Sequence, residues 1–233
     1  MSVGNAPSGT TRAGRDVAAV TPVFEGGASS FVPPRPAEPR NIVLVGFMGC
    51  GKSTIGRALA RLRGWRFVDT DEVIRAAAGG RDIPGLFRDE GEAAFRDRET
   101  QAILGVCAGQ GQVIATGGGA VLRPENGAAL RGAGLVVWLT ARPEVIVART
   151  RHRAADRPVL ARGGEELLVH VLRLLGERGP RYQAVAHLIV DASDRTPIVI
   201  AREIERKVAA ARPAPQGQPR PDNTCGKVAH DAR

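Results

Sequence analysis

Aromatic residues are scarce. Two Trp, one Tyr and six Phe amount to 4% of 233 residues, which argues against a surface on which successive nucleic-acid bases stack. Cysteine is nearly absent. Cys50, Cys107 and Cys225 form neither a CxxC pair nor a metal-ligand spacing, and they read as reduced thiols of an intracellular protein. No apolar run approaches the roughly 20 residues of a membrane span. The N-terminal stretch lacks a compact apolar core followed by a cleavage site, and it carries Asp16 and Glu25, acids that transit segments tend to avoid. A cytoplasmic protein with no membrane partner is the expectation. Lysine is the last scarcity: Lys52, Lys207 and Lys227 stand against thirty arginines. The net charge of +9 thus comes from arginines spread along the whole chain and both tails. Compositional bias, or a basic pocket for small polyanions, accounts for it better than a nucleic-acid surface.

What is present is a patterned middle between two unpatterned ends. Residues 1–38, rich in Gly, Ser, Pro and Ala and ending in "FVPPRPAEPR", and the tail 213–233 cannot bury an apolar face and are expected to be disordered. From 39 to 212 short apolar runs alternate with helical stretches. "NIVLV" (41–45), "RFVDT" (66–70), "QVIAT" (112–116), "LVVWL" (135–139) and "HLIVD" (187–191) read as strands. Between them, "KSTIGRALARLRG" places Ile55, Leu59 and Leu62 on one helical face and ends at Gly64. "DEVIRAAAGG" reads as a short helix and "GEAAFRDRETQAILGVCAG" as a longer one, while Pro143 and Pro197 suit first helical turns. Such alternation predicts an α/β fold: a parallel sheet with helices on both faces and ligands at the carboxyl ends of the strands.

"GFMGCGKS", from Gly46 to Ser53, matches GxxxxGK[ST] directly after an apolar strand and at the opening of a helix, the context that a phosphate-binding loop requires. Backbone N–H groups of Gly49, Cys50, Gly51, Lys52, Ser53 and Thr54 would cradle the phosphates of a nucleoside triphosphate. Lys52 would reach the β- and γ-oxygens, and the Ser53 hydroxyl would ligate Mg²⁺. Cys50 reads either as a thiol activated by the local positive potential or as a small residue at a variable loop position, and the second is preferred.

The open question is what accepts the terminal phosphate. "VDTD" holds Asp69 and Asp71 at the end of the second strand. One carboxylate could support Mg²⁺ through water, and the other could take a hydroxyl proton from an acceptor. Asp71 is also placed to cap the helix that follows. Arg96 lies between Glu92 and Glu99 at helical spacing, which by itself reads as an exposed charge pair. "ATGGGAV" (115–121) sets Gly117, Gly118 and Gly119 after a buried strand, where a ligand could approach backbone N–H groups; a flexible turn is the plain alternative. The Arg- and Gly-rich stretch at 152–165 suits a lid that excludes water, with Arg157 fixed before Pro158 to meet the transferring phosphoryl.

Together, "GFMGCGKSTIGRALA", "FVDTD", "GEAAFRDRE", "ATGGGAVL", "DRPVL" and "ERGPRY" occur in the order and spacing of the shikimate kinase family, which the chain resembles over roughly residues 40–210. The resemblance implies a three-layer, nucleoside-monophosphate-kinase-like fold with a five-stranded parallel sheet. It implies transfer of the γ-phosphate of MgATP to the 3-hydroxyl of shikimate, in aromatic amino-acid biosynthesis; a monomer is the expectation for the chain. It implies that Asp71 binds ring hydroxyls and acts as base, that Arg96, oriented by Glu99, and Arg178 hold the carboxylate, and that Gly117, Gly118 and Gly119 line the substrate. It further implies Asp69 near Mg²⁺ through water, Arg157 at the phosphates, and Arg149, Arg195 and Pro197 flanking adenine. Two departures from the family pattern are expected to matter: Arg181 in place of an aliphatic residue, affecting the packing behind Arg178, and Pro84–Gly85, loosening the helix near the substrate.

Overall fold

Every residue of β1 (Asn41–Val45) is buried, which a strand achieves only when both faces of its sheet are covered. The computed structural model describes residues 38–151 and 167–210, and there both faces of the sheet are covered. Ile42 and Leu44 point into a cluster with Val113, Val137 and Leu139, while Val43 and Val45 point into another with Ile114 and Val136. This is the period-two alternation of a strand, apolar on both sides.

Four more strands join β1: β2 (Arg66–Asp69), β3 (Gln112–Ala115), β4 (Leu135–Thr140) and β5 (Leu188–Asp191). All pairings are parallel, in the order β2–β3–β1–β4–β5. One face is covered by α1 (Lys52–Arg63) and α7 (Pro197–Ala210), through Ile55, Leu59, Ile200 and Ile204. The other is covered by α3 (Ile83–Cys107), α4 (Pro124–Ala133) and α6 (Leu167–Val185), through Ile103, Leu130, Tyr182 and Val185. The short α2 (Thr70–Ala77) packs on α3 through Ile74, Leu86 and Phe95, and α5 (Pro143–Thr150) packs on α6 through Ile146, Val171 and Leu174. The expected three layers and five parallel strands are therefore present. Among the described residues no helix is long and apolar enough to cross a membrane.

Several local expectations need correction. Leu62, placed on the packed face of α1, is 44% exposed; the buried stripe is Ile55, Leu59 and Ala60. β2 stops at Asp69 rather than residue 70, because the Asp69 carboxylate accepts from the Asp71 N–H (3.1 Å) and caps α2. Asp69, not Asp71, is thus the N-cap. Pro84–Gly85 does not loosen its helix: Pro84 occupies the first turn of α3, and Asp82 caps it by accepting from the Gly85 N–H (3.0 Å). The break comes at Gly91 (φ 84°), the residue at which the sequence pattern began its longer helix. The proposed lid at 152–165 with Arg157, the tail at 213–233, and the N-terminal extension apart from Glu38 lie outside the described residues.

Candidate active site

Strand register assembles the site. Leu44 and Asp69 both pair with Ala115, so the residues that follow β1, β2 and β3 leave the sheet side by side at its carboxyl edge. After β1 comes the loop Gly46–Gly51, which turns through positive φ at Gly49 (79°) and Gly51 (96°). Gly51 is the N-cap of α1 and provides no side chain to the first-turn N–H groups, so the helix presents them to an anion. Lys52 is buried, and its ammonium donates to the carbonyls of Gly46 (2.8 Å) and Phe47 (3.0 Å). That holds a cation against the loop. Cys50 is fully buried in the core beside α1, so it packs the core from within the loop. The Ser53 hydroxyl donates to Asp69 Oδ2 at 2.6 Å. A hydroxyl and a carboxylate at a phosphate loop fit Mg²⁺, a hard cation that keeps several waters and takes substrate phosphates rather than an all-protein cage.

The triglycine segment draws the acceptor side together. A methyl group on Gly117 would lie 2.8 Å from Asp71 Oδ1 and 2.9 Å from Glu99 Oε1; one on Gly118 would lie 3.3 Å from the Met48 nitrogen, and one on Gly119 would collide with the Arg96 guanidinium. A side chain at these positions would displace the carboxylates or the guanidinium, because these groups and the phosphate loop all press on one backbone segment. Arg96 is 8% exposed and donates to Glu99 (2.6 Å) and Glu92 (3.2 Å), and it lies over the rings of Phe87 and Phe95. Spacing alone suggested an exposed pair; burial overturns that. Arg178, 7% exposed, lies over Phe47 and donates weakly to the Gly118 carbonyl (3.4 Å). The two arginines thus flank one dipeptide, Gly118–Gly119, with Asp71 beside Gly117.

Charge in this cluster is unevenly compensated. Burial pushes the Glu99 carboxyl above its ordinary range and the neighbouring Asp71 carboxylate adds to the shift, while the Arg96 guanidinium opposes it. Four side chains missed at the sequence level complete the surroundings: Thr70 accepts the Gly117 N–H (3.0 Å), Phe87 and Phe95 back Arg96, and Tyr182 donates to the Gly118 carbonyl. Tyr182 carried a signal, since it is the chain's single tyrosine and ends the "ERGPRY" motif.

The three residues expected to flank adenine make contacts within the protein. Arg149 donates to the carbonyls of Gly49 (3.3 Å), Ala192 (3.0 Å) and Ser193 (2.8 Å), so it clamps the phosphate loop to the segment after β5. Arg195 turns to Glu203 and the Asp191 carbonyl, while Pro197 opens α7. Arg181 is exposed and donates to the Leu122 carbonyl (2.6 Å); it does not pack behind Arg178.

A family model described as shikimate kinase matches residues 48–209. The chain is 44% identical over 169 residues to the shikimate kinase of Symbiobacterium thermophilum, covering 72% of this chain and 95% of the relative. It is 43% identical over 174 residues to that of Pseudomonas syringae pv. syringae, covering 75% and 99%. A solved structure of shikimate kinase from Acinetobacter baumannii in complex with shikimate superposes with a TM-score of 0.70 at 36% identity, covering 75% of this chain and 98% of that one.

Proposed function

The chain belongs to the shikimate kinase family, and from that premise we infer that it transfers the γ-phosphoryl group of ATP to shikimate, in the shikimate pathway of aromatic biosynthesis. The observation that carries the reading is the convergence of Asp71, Glu99, Arg96 and Arg178 on Gly117–Gly119, with Gly118 against Met48 of the phosphate loop. A small hydroxy acid needs cationic groups for its carboxylate and an acceptor for its hydroxyl proton, both within reach of the nucleotide. This cluster offers them.

In the mechanism, Arg96 and Arg178 bind the carboxylate of the acid, and the N–H groups of Gly118 and Gly119 orient the ring. The 3-hydroxyl oxygen attacks the γ-phosphorus in line, its proton passes to Asp71, and the bond to the bridging oxygen of ADP breaks. Lys52 holds the migrating phosphoryl from the loop side; Arg157, outside the described residues, is the residue proposed to meet the phosphates from the other side. Ser53, with Asp69 through water, would hold Mg²⁺, which when bound neutralises charge on the β- and γ-phosphate oxygens. Arg149, Arg195 and Pro197 line the edge where adenine is expected. The same reading makes the protein a cytoplasmic monomer with no nucleic-acid or membrane partner, to be checked by light scattering for a single one-chain species.

A coupled ADP-release assay with MgATP tests the function, run with shikimate, with gluconate and with buffer alone. Turnover confined to shikimate is expected. Equal rates with gluconate, or ADP release without an acceptor, would overturn the assignment.

A further inference from the structure

Tyr182 is 1% exposed, and its ring stacks on Trp138 with centroids 5.8 Å apart and planes 28° apart. It packs in the cluster of Ile103, Leu130 and Val185. Apolar packing alone would be served as well by phenylalanine. The hydroxyl, however, donates to the carbonyl of Gly118, the same oxygen that Arg178 reaches from the next turn of α6. Burial raises the phenol's pKa far above its ordinary value, with Arg178 opposing, so it remains a donor at any working pH.

The peptide unit gives this bond a consequence. The carbonyl of Gly118 and the N–H of Gly119 belong to one planar trans unit and point in opposite directions. A glycine pair has little intrinsic preference for one orientation of that plane. Whatever holds the oxygen therefore sets the direction of the amide. We propose that Tyr182 is a positioning residue for acceptor binding: its hydroxyl fixes the Gly118–Gly119 peptide so that the Gly119 N–H faces the hydroxy acid, beside Arg96. Arg178 is thereby relieved of anchoring the loop, and its long 3.4 Å contact with Gly118 leaves the guanidinium for the substrate carboxylate. This rests on the acceptor site inferred above.

The test is Tyr182→Phe in the full-length protein, which keeps the ring and its stacking and removes one oxygen. The KM for shikimate should rise about 5- to 20-fold, the scale of one buried hydrogen bond lost, while the KM for ATP stays within about twofold. Leu130→Val, in the same cluster but without a polar contact, serves as the packing control; it should lower the melting temperature with both KM values unchanged. Independently of turnover, the amide resonance of Gly119 should move in Tyr182→Phe without substrate. An unchanged shikimate KM in Tyr182→Phe, an equal rise in Leu130→Val, or an unmoved Gly119 resonance would each overturn the proposal while leaving the wild-type activity intact. A wild type that does not phosphorylate shikimate would overturn the functional reading, and this proposal with it.

Discussion

At the scale of single residues, the site separates groups that bind from a group that reacts. Asp71→Asn keeps size and hydrogen bonding but removes the proton acceptor, so turnover should fall by about 10²–10⁴ with the fold retained, measured by single-turnover phosphoryl transfer. Arg96→Ala instead removes a carboxylate partner: the KM for shikimate should rise strongly and that for ATP hardly at all, in steady-state titrations of each. Glu99 offers a pH test. Its carboxyl is raised in the fold, chiefly by burial, so its contribution to stability is fully present below its unfolded pKa and is lost as pH rises through the raised folded value. The melting temperature of wild type relative to Glu99→Gln should therefore fall as pH rises from the ordinary carboxylate range toward neutrality; a flat difference would contradict this. Arg96 and Glu99 also show where sequence reading stops. Two charged residues at i,i+3 look like a solvated face, and they are buried by partners distant in sequence or off that spacing, the segment Gly117–Gly119 after β3 and the rings of Phe87 and Phe95. Family resemblance assigned them a role that spacing could not.

At the scale of elements, boundaries were legible where a turn chemistry enforced them. Gly64 ends α1 in a left-handed conformation (φ 65°), and Pro143 and Pro197 open their helices. α4 was missed because "PENGAALRGA" has little apolar periodicity and holds two glycines; it forms because Asn126 and Leu130 are buried against the loop and sheet. Sequence left Asp71 open as a cap of α2, but Asp69 supplies it, since strand and helix meet with no spacer and either carboxylate could reach the first turn. The triglycine segment behaves as an element in itself. Gly117→Ala would force a methyl group within 3 Å of two carboxylate oxygens, an overpacking cost of about 1–3 kcal/mol. Shikimate phosphorylation should fall more than tenfold, whereas nucleotide binding, followed by fluorescent analogue titration, should change little.

At the scale of the whole molecule, the order of strands explains why remote stretches of sequence meet. The phosphate loop follows β1, the aspartates follow β2 and the glycines follow β3. Because β3 lies between β2 and β1, all three leave the same edge together, which apolar runs announce in kind but not in order. Among the described residues, many arginines sit in exposed ion pairs. Exposed pairs such as Arg57–Glu72 (2.8 Å) and Arg81–Asp89 (2.9 Å) contribute little each, whereas the buried guanidiniums of Arg96 and Arg178 face the acceptor side of the site. The most direct measurement of the central claim is a structure determined with shikimate and a non-hydrolysable ATP analogue. The acid's carboxylate should lie between the guanidiniums of Arg96 and Arg178, with its 3-hydroxyl at Asp71 facing the γ-phosphate. Shikimate bound with its carboxylate away from both arginines, or with its 3-hydroxyl remote from Asp71, would contradict the account.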